Sequence, residues 1–170
     1  MEHSKILILG MGNPILSDDG VGLSIAKLLQ TRINGADVAY SAMIGLNLLD
    51  LILDYKTVFI IDAMTSSTSV IGKLSKISAE GRSGTLHLFS SHGLNIFDLV
   101  EFGTRCGLEM PILCAVYGIE IGSEVAFGED ISPALSEKLP AIAEEIIADM
   151  ISVLPALSAL IPMSADTSRQ

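Results

Sequence analysis

A glycine-rich stretch at residues 10–22, GMGNPILSDDGVG, constrains the fold of this chain more than any other part of its sequence. A continuous apolar run, residues 6–9, precedes it, and an amphipathic run that includes Ile25, Leu28 and Leu29 follows it. This order predicts a buried strand, a tight glycine turn and the start of a helix. In a parallel sheet such a turn lies at the carboxyl end of a strand, where ligands bind. We therefore expect functional side chains in this stretch.

The rest of the chain alternates between predicted strands and helices. This alternation predicts an α/β/α sandwich, in which helices cover both faces of a twisted, mostly parallel sheet of about five strands. Short segments between Ile71 and Leu88 are expected to add an antiparallel edge. Residues 1–154 form a single domain in this interpretation, and residues 155–170, rich in Pro, Ser and Ala, form a loosely held tail. The predicted strands are residues 5–9, 37–40, 57–61, 71–77, 86–88 and 112–121, and the predicted helices are residues 18–32, 46–53, 94–106 and 132–150.

Local signals mark the beginnings of two of these helices. Ser17 or Asp18 is expected to cap the first helix, with Asp19 in its first turn, where the helix dipole favours a carboxylate. Ser132, which is followed by proline, is the expected cap of the last helix. Pro140 is expected either to kink that helix or to mark a restart.

Composition narrows the classes of partner. The 170 residues are 49% hydrophobic but only 5% aromatic, so the core must consist mainly of aliphatic side chains and Met. The formal net charge of −10 repels a nucleic-acid backbone. The two cysteines, Cys106 and Cys114, form no metal motif and no disulfide framework. Because we find no signal peptide and no segment long enough to span a bilayer, we expect a cytoplasmic protein that binds neither nucleic acid nor membrane.

A dinucleotide site is one hypothesis for the glycine stretch, because Gly10 and Gly12 after a strand form the first half of that fingerprint. The third glycine of the fingerprint would have to stand at Ile15, and it is absent. Asp18 and Asp19 would repel a pyrophosphate, and no Gly-Lys-Ser/Thr follows to form a P-loop. The sequence therefore argues against a nucleotide cofactor.

Three side chains near the ends of predicted strands favour a metal or acid–base site instead. Asp19 follows the first strand, Asp62 ends the third, and His92 lies in the loop before a later helix. In a parallel sheet all three can converge on one edge. One imidazole and two carboxylates suit a first-row divalent ion, with positions left open for ligands from elsewhere.

Each of these residues also has an ordinary structural interpretation. Asp19 can serve only as a favourable charge at a helix N-terminus, Asp62 as a cap for the following loop, and His92 as a surface residue. Nucleophilic catalysis has weaker support, because no serine lies in a Gly-x-Ser-x-Gly elbow. The shared place of Asp19, Asp62 and His92 at strand ends favours the functional interpretation.

Four short motifs give the chain a resemblance to a known family. They are LGMGNP at residues 9–14, DDGVG at 18–22, IDA at 61–63 and SHGL at 91–94. In this order and at these separations they resemble the nickel–iron hydrogenase maturation endopeptidases. The resemblance extends over residues 5–150 and implies a twisted sheet with helices on both faces.

The resemblance also implies an activity. It points to an aspartyl-type endopeptidase that removes the carboxy-terminal extension from the precursor of a hydrogenase large subunit after nickel insertion. Carried over by motif, Asp19, Asp62 and His92 would form the catalytic site and would bind or sense nickel held by the precursor. The first acid is Glu in some family members and Asp here, which shortens its reach by one methylene. Because three ligands leave the coordination of a metal incomplete, such a site can inspect an ion that a partner carries.

Two alternatives from other classes stay open. A non-catalytic maturation chaperone would bind nickel or the precursor in the same crevice without shortening any chain. A nucleotide-binding oxidoreductase is the more distant alternative. The sequence leaves open which residue acts as general base, and whether nickel polarises the peptide, activates water or only orients the substrate.

Overall fold

A five-stranded sheet forms the centre of the computed structural model, which describes residues 6–42, 45–65, 70–77, 96–122 and 126–160. β1, β2, β3 and β5 are parallel, and β4 pairs antiparallel with β5. The expected mostly parallel sheet with an antiparallel edge is therefore confirmed. The strands are Ile6–Met11 (β1), Asp37–Ser41 (β2), Thr57–Met64 (β3), Leu74–Ile77 (β4) and Ile112–Glu120 (β5).

Helices cover both faces of this sheet. The α-helices of the described ranges are Val21–Gln30 (α1), Leu49–Ile52 (α2), Ile96–Arg105 (α3), Pro133–Ser136 (α4) and Leu139–Val153 (α5), and 3-10 turns occupy Ser17–Gly20, Gly45–Leu48 and Pro155–Leu160. α1 and α5 pack into the apolar cluster on one face, and α2 and α3 pack into the cluster on the other face. The predicted three-layer α/β/α sandwich is confirmed.

The strand β3 shows why its sequence is apolar without interruption. Phe59 and Ile61 lie in the cluster beneath α1 and α5, whereas Val58 and Ile60 lie in the cluster beneath α2 and α3. Because successive side chains of a strand point to opposite faces, a strand covered on both faces must be apolar at every position.

The strand order β2-β1-β3-β5-β4 contains a topological switch point. From β1 the chain moves outward to β2, and it then returns past β1 to form β3 on the other side. The crevice between the carboxyl ends of β1 and β3 is therefore where ligands bind in open sheets of this type. Gly10 lies opposite Ile61 in the register, so the loop after β1 begins beside Asp62.

Two glycines allow the backbone of α1 to lie directly on the sheet. A Cβ atom on Gly10 would stand 2.6 Å from the Cβ of Ala26. A Cβ atom on Gly22 would overlap the carbonyl oxygens of Met11 and Ile61. Gly22 thus supplies the close packing of helix on strand that the third glycine of a dinucleotide fingerprint would supply. This contact fixes the start of α1 above the crevice.

The capping of the first helix differs from expectation. The helix begins with the 3-10 turn Ser17–Gly20, and the N-cap of α1 is Gly20, without a side-chain hydrogen bond. Asp18 does not cap its own helix, because its carboxylate is bonded to Ser132 instead. Local sequence favours a cap at Asp18, and a tertiary partner replaces it.

The last helix is divided into two helices. This is the restart that was one of the two expectations for Pro140, the other being a kink. α4 ends at Ser136, and α5 begins at Leu139 with Pro140 in its first turn. A proline is tolerated there because its missing N–H would have no partner within the helix. Pro140 therefore marks a restart.

The predicted loose tail is packed over its first six residues. Pro155–Leu160 forms a 3-10 turn, and Leu157 is fully buried in the core. The carbonyl oxygen of Leu160 accepts the N–H of Asn34 at 2.6 Å. Burial of Leu157 explains this difference, because an apolar side chain every few residues is enough to hold a short terminal turn against the core.

Two further expectations are resolved in part. The strand predicted at residues 71–77 is present as the shorter β4, whereas the strand predicted at 86–88 lies outside the described residues. Within the part of the chain that the structure describes, no helix has the length and apolar character needed to cross a membrane.

Candidate active site

Asp19 lies in the loop that joins β1 to α1. Its Oδ2 accepts the backbone N–H of Asn13 at 2.9 Å, which ties the loop back on itself. Gly12 has a φ of 142°, and a Cβ atom on it would overlap the carbonyl oxygen of Asp19. Only glycine permits both this conformation and this approach. The glycines of the motif therefore place Asp19, and they leave its second carboxylate oxygen without a hydrogen-bond partner among the described residues.

Asp62 lies near the carboxyl end of β3, next to β1. Its Oδ1 accepts the N–H of Ala63 at 2.8 Å. Asp62 pairs with Gly118 of β5 in the parallel register, so the neighbouring strand offers no side chain beside it. Asp62 is thus anchored through one oxygen in a half-buried position.

The environment of Asp62 disfavours its charged form. Burial raises the pKa of Asp62, the hydrogen bond from the Ala63 N–H lowers it, and the nearby charge of Asp19 raises it, with a resulting value of about 7. The charge of Asp19 is the smallest of these three contributions. Asp19 and Asp62 both lie at the edge of the sheet where the switch point falls. Their joint role in a catalytic or metal site stays a prediction.

His92, the third predicted residue of the site, lies outside the described residues. The helix that follows it in the sequence, α3, packs on the face of the sheet that also carries Val58 and Ile60. Asp62 continues the alternation of residues 58 and 60 and so belongs to the same face. The approach of His92 to Asp19 and Asp62 stays a prediction.

The described ranges contain no group of three or more His, Cys, Asp or Glu side chains that could hold a metal ion. Asp19 and Asp62 alone supply two carboxylates, and a resident transition metal usually needs at least three protein ligands. Two carboxylates alone leave coordination positions of a divalent ion to be filled by other groups.

Asp18 has a different task from its neighbour Asp19. Its Oδ1 accepts the N–H of Ser132 at 2.7 Å, and its Oδ2 accepts the hydroxyl of Ser132 at 2.8 Å. The hydroxyl of Ser17 donates to the carbonyl oxygen of Asp130 at 2.8 Å. Asp18 therefore fastens the β1–α1 loop to the segment before α4 and takes no part in the crevice.

The sequence interpretation overlooked Glu120, the last residue of β5. This side chain is buried, and its Oε1 accepts the N–H of Val70 at 3.0 Å. Its backbone carbonyl oxygen also accepts the N–H of Gly72 at 2.7 Å. Glu120 therefore holds the chain between β3 and β4 close to the edge where Asp62 lies. An acid at the end of an otherwise apolar strand was the signal that pointed to it.

The sheet order β2-β1-β3-β5-β4 is that of an open, mostly parallel α/β protein with a switch point between β1 and β3. Asp19 and Asp62, which interact electrostatically, lie at that switch point. The fold is that of the hydrogenase maturation endopeptidases, which confirms the fold that the sequence motifs implied. No protein-family model and no curated protein matches this chain.

Three solved structures illustrate the likeness. Hydrogenase maturating endopeptidase HybD from E. coli is 21% identical with a TM-score of 0.68, over 86% of this chain and 92% of that one. The [NiFe] hydrogenase maturation protease HycI from Thermococcus kodakarensis KOD1 is 22% identical with a TM-score of 0.64, over 88% and 93%. HybD from Thermococcus kodakarensis is 22% identical with a TM-score of 0.61, over 86% and 97%. In each case the likeness covers more than four fifths of this chain and more than nine tenths of the other.

Proposed function

We propose that this chain is an endopeptidase that removes the carboxy-terminal extension from the precursor of a nickel–iron hydrogenase large subunit. The observation that carries the proposal is the pair Asp19 and Asp62 at the switch point, where burial and the charge of Asp19 raise the pKa of Asp62 to about 7. The shared fold and the four sequence motifs support the same activity. Cys106 and Cys114 are free thiols, as is usual for proteins of the reducing cytoplasm.

The electrostatics of the pair favour an incoming cation. Two carboxylates in a partly desolvated crevice repel each other, and a divalent ion between them removes that repulsion. Asp19 and Asp62 each keep one oxygen free of hydrogen bonds to the described residues, so each can offer one ligand without breaking its anchor. Nickel bound by the precursor would therefore dock against these two oxygens as part of the substrate.

His92 would complete the set of contacts to the nickel. It precedes Ile96, the first residue of α3, by four positions, which limits the distance between their Cα atoms to roughly 14 Å. Ile96 is buried on the face of the sheet to which Asp62 belongs. An imidazole together with two carboxylates suits a first-row divalent ion.

Recognition of the metal would position the peptide bond that is cut. Hydrolysis requires a base that takes a proton from water as its oxygen adds to the carbonyl carbon, and the proton then passes to the departing amine. An acidic residue of the trio Asp19, Asp62 and His92 is our candidate for that base. Docking of the nickel aligns the scissile bond with it, and this alignment makes cleavage conditional on nickel insertion.

Mass spectrometry of the precursor before and after incubation with the protein tests this function. We expect nickel-loaded precursor to lose its carboxy-terminal extension and nickel-free precursor to stay intact. Asp62→Asn and His92→Ala should abolish the cleavage. The matched changes Asp50→Asn, at an exposed position of α2, and His3→Ala, outside the four motifs, should not.

Three outcomes would contradict parts of the proposal. Equal cleavage with and without nickel would remove nickel recognition. Full cleavage by Asp62→Asn or His92→Ala would remove that residue from the site. Binding of the precursor without any shortening would establish the alternative, a non-catalytic maturation chaperone.

A further inference from the structure

Large apolar side chains are exposed at the same edge of the sheet as the candidate active site. Ile15 follows β1, Leu46 follows β2, Val70 follows β3 and Phe127 follows β5, and all four are more than half exposed. Because these strands are parallel, the four residues stand in loops at their carboxyl ends. Exposed apolar residues grouped at one end of a molecule are typical of an interaction surface.

Phe127 is the most exposed of these side chains, with 89% of its surface open to solvent. Its backbone is nevertheless held in place. Leu16 and Gly128 form an isolated parallel bridge. The N–H of Gly128 donates to the carbonyl oxygen of Ile15 at 3.1 Å, and the N–H of Ser17 donates to the carbonyl oxygen of Gly128 at 2.7 Å. An aromatic ring presented on a fixed backbone loses little entropy when a partner covers it.

The bridge also joins Phe127 to the active-site loop. Ile15 and Phe127 each precede a residue of the parallel bridge by one position. They therefore lie side by side on adjacent stretches of chain. Asp19 lies three residues beyond Leu16, which limits its Cα to roughly 11 Å from that of Leu16. A polypeptide that covers Ile15 and Phe127 would therefore lie beside the crevice that contains Asp19 and Asp62.

The surface around Phe127 is acidic. Glu129 and Asp130 lie two and three residues after it and are exposed. None of the cations in the described ranges pairs with either carboxylate. A partner that covers Phe127 must therefore bring an apolar side chain for the ring and a positive charge for the two acids, since like charges facing each other would oppose binding.

We propose that Ile15, Phe127, Glu129 and Asp130 form the docking surface for the substrate polypeptide, and that they bind a precursor segment in which an apolar residue stands next to Lys or Arg. This inference rests on the endopeptidase function proposed above. The apolar contact supplies affinity, and the carboxylates select the charge and the direction of the segment. The surface holds the precursor while Asp19 and Asp62 contact its nickel.

Kinetics and direct binding with the nickel-loaded precursor test the docking surface. Phe127→Ala is expected to raise the KM for cleavage and the Kd for binding at least tenfold, with kcat within twofold of the unchanged protein. Phe102→Ala is the matched control, because Phe102 is exposed on α3, away from the carboxyl ends of the strands. It should change KM and Kd less than twofold.

The salt dependence of binding tests the charge complementarity. The Debye screening length falls from about 14 Å to about 4 Å between 0.05 and 0.5 M salt. The Kd of the unchanged protein for the precursor should therefore rise severalfold. Glu129→Gln combined with Asp130→Asn should remove most of this dependence. Glu137→Gln combined with Glu145→Gln changes the net charge equally at exposed positions of the α4–α5 region and should retain the dependence.

The outcomes separate the docking surface from the proposed function. If the unchanged protein cleaves the precursor and Phe127→Ala behaves like Phe102→Ala, the docking surface is wrong and the endopeptidase function stands. If no variant cleaves but Phe127→Ala weakens precursor binding tenfold, the docking surface stands without the enzyme. If sedimentation shows a dimer that only Phe127→Ala dissociates, while KM and Kd for the precursor are unchanged, the surface serves a second copy of the chain and the proposal is wrong.

Discussion

Asp18 and Asp19 are adjacent and chemically identical, yet they serve different regions of the molecule. Asp19 accepts one backbone N–H within its own loop and acts electrostatically on Asp62 in the crevice. Asp18 uses both oxygens to hold Ser132, more than a hundred residues away in the sequence. Asp18 has hydrogen-bond donors for both of its oxygens, whereas one oxygen of Asp19 has none among the described residues.

The difference teaches how two adjacent negative charges can be accommodated in one loop. The helix dipole stabilises negative charges at the start of a helix, but two adjacent negative charges repel each other. Hydrogen-bond donors held in fixed positions around one of the two carboxylates offset this repulsion. Asp18 takes those donors from the segment before α4, and this attachment holds the loop while Asp19 faces Asp62. If the proposed function holds, stability depends on one aspartate and catalysis on its neighbour.

The largest expected effect is on cleavage and should separate the two aspartates. Asp19→Asn removes the charge but keeps an oxygen for the Asn13 N–H, and we expect cleavage of nickel-loaded precursor to fall at least about 100-fold, as is usual for loss of an acid–base or ligand group. Asp18→Asn should keep cleavage within a few-fold, because Asp18 does not face the crevice. Initial rates on the same precursor preparation provide the measurement.

Stability should show the reverse order for the same two variants. Asp18→Asn exchanges hydrogen bonds to a charged acceptor for bonds to a neutral one, a loss of about 1–2 kcal/mol in the free energy of unfolding. Asp19→Asn should lose less than Asp18→Asn. A loss of cleavage in Asp18→Asn as large as that in Asp19→Asn would contradict the division of tasks.

The second effect is a gain of stability in Asp62→Asn. The pKa of Asp62 is about 7 in the folded protein against an ordinary 3.8, so the folded protein holds a proton that the unfolded chain releases between these two pH values. The free energy of unfolding therefore falls as pH rises from about 4 to about 7, by as much as about 4 kcal/mol, and is constant above. Asn carries no such cost.

Urea unfolding at pH 4 and pH 8 measures this gain. Asp62→Asn should be more stable than the unchanged protein at pH 8, by up to about 4 kcal/mol, and nearly equal to it at pH 4. Asp50→Asn, at an exposed position on α2, should show no such change with pH. Equal stability of Asp62→Asn and the unchanged protein at pH 8 would mean that Asp62 is ionised at little cost, and that the crevice has no demand for a cation.

The third effect is a loss of stability when Gly22, which lets α1 pack directly on the sheet, is replaced. Gly22→Ala places a Cβ atom against the carbonyl oxygens of Met11 and Ile61, and separation of α1 from the sheet should cost about 3 kcal/mol in the free energy of unfolding. Gly20→Ala is the matched control, because its Cβ atom would stand 3.5 Å from the nearest atom. Its loss should stay below about 1 kcal/mol.

Cleavage by the two alanine variants sharpens the comparison further. Displacement of α1 moves the loop that carries Asp19, so Gly22→Ala should also slow cleavage in the fraction that remains folded. A normal rate in folded Gly22→Ala would show that the position of Asp19 does not depend on the contact between α1 and the sheet.

Periodicity in the sequence was sufficient for much of the fold. The uninterrupted apolar runs of β1, β3 and β5 and the apolar spacing of α1 and α5 follow from burial on two faces or one, so the sandwich could be predicted. Local signals also predicted the antiparallel edge, and at Pro140 they left open a kink or a restart, of which the structure has the restart. The packed turn at Pro155–Leu160 did not follow from such signals, because burial of Leu157 depends on which surface the end of α5 reaches.

The sequence by itself placed Asp19 after the first strand and Asp62 at the end of the third, because apolar runs and a glycine turn mark where those strands end. The tertiary structure decided that these two strands are neighbours. Only the tertiary structure decided which of the paired aspartates faces the crevice, because Ser132, Gly12 and Gly22 are brought to the loop by the folded chain. It also decided the raised pKa of Asp62 and the exposure of Phe127. Both depend on how many atoms surround a group, and distant segments of the chain provide those atoms.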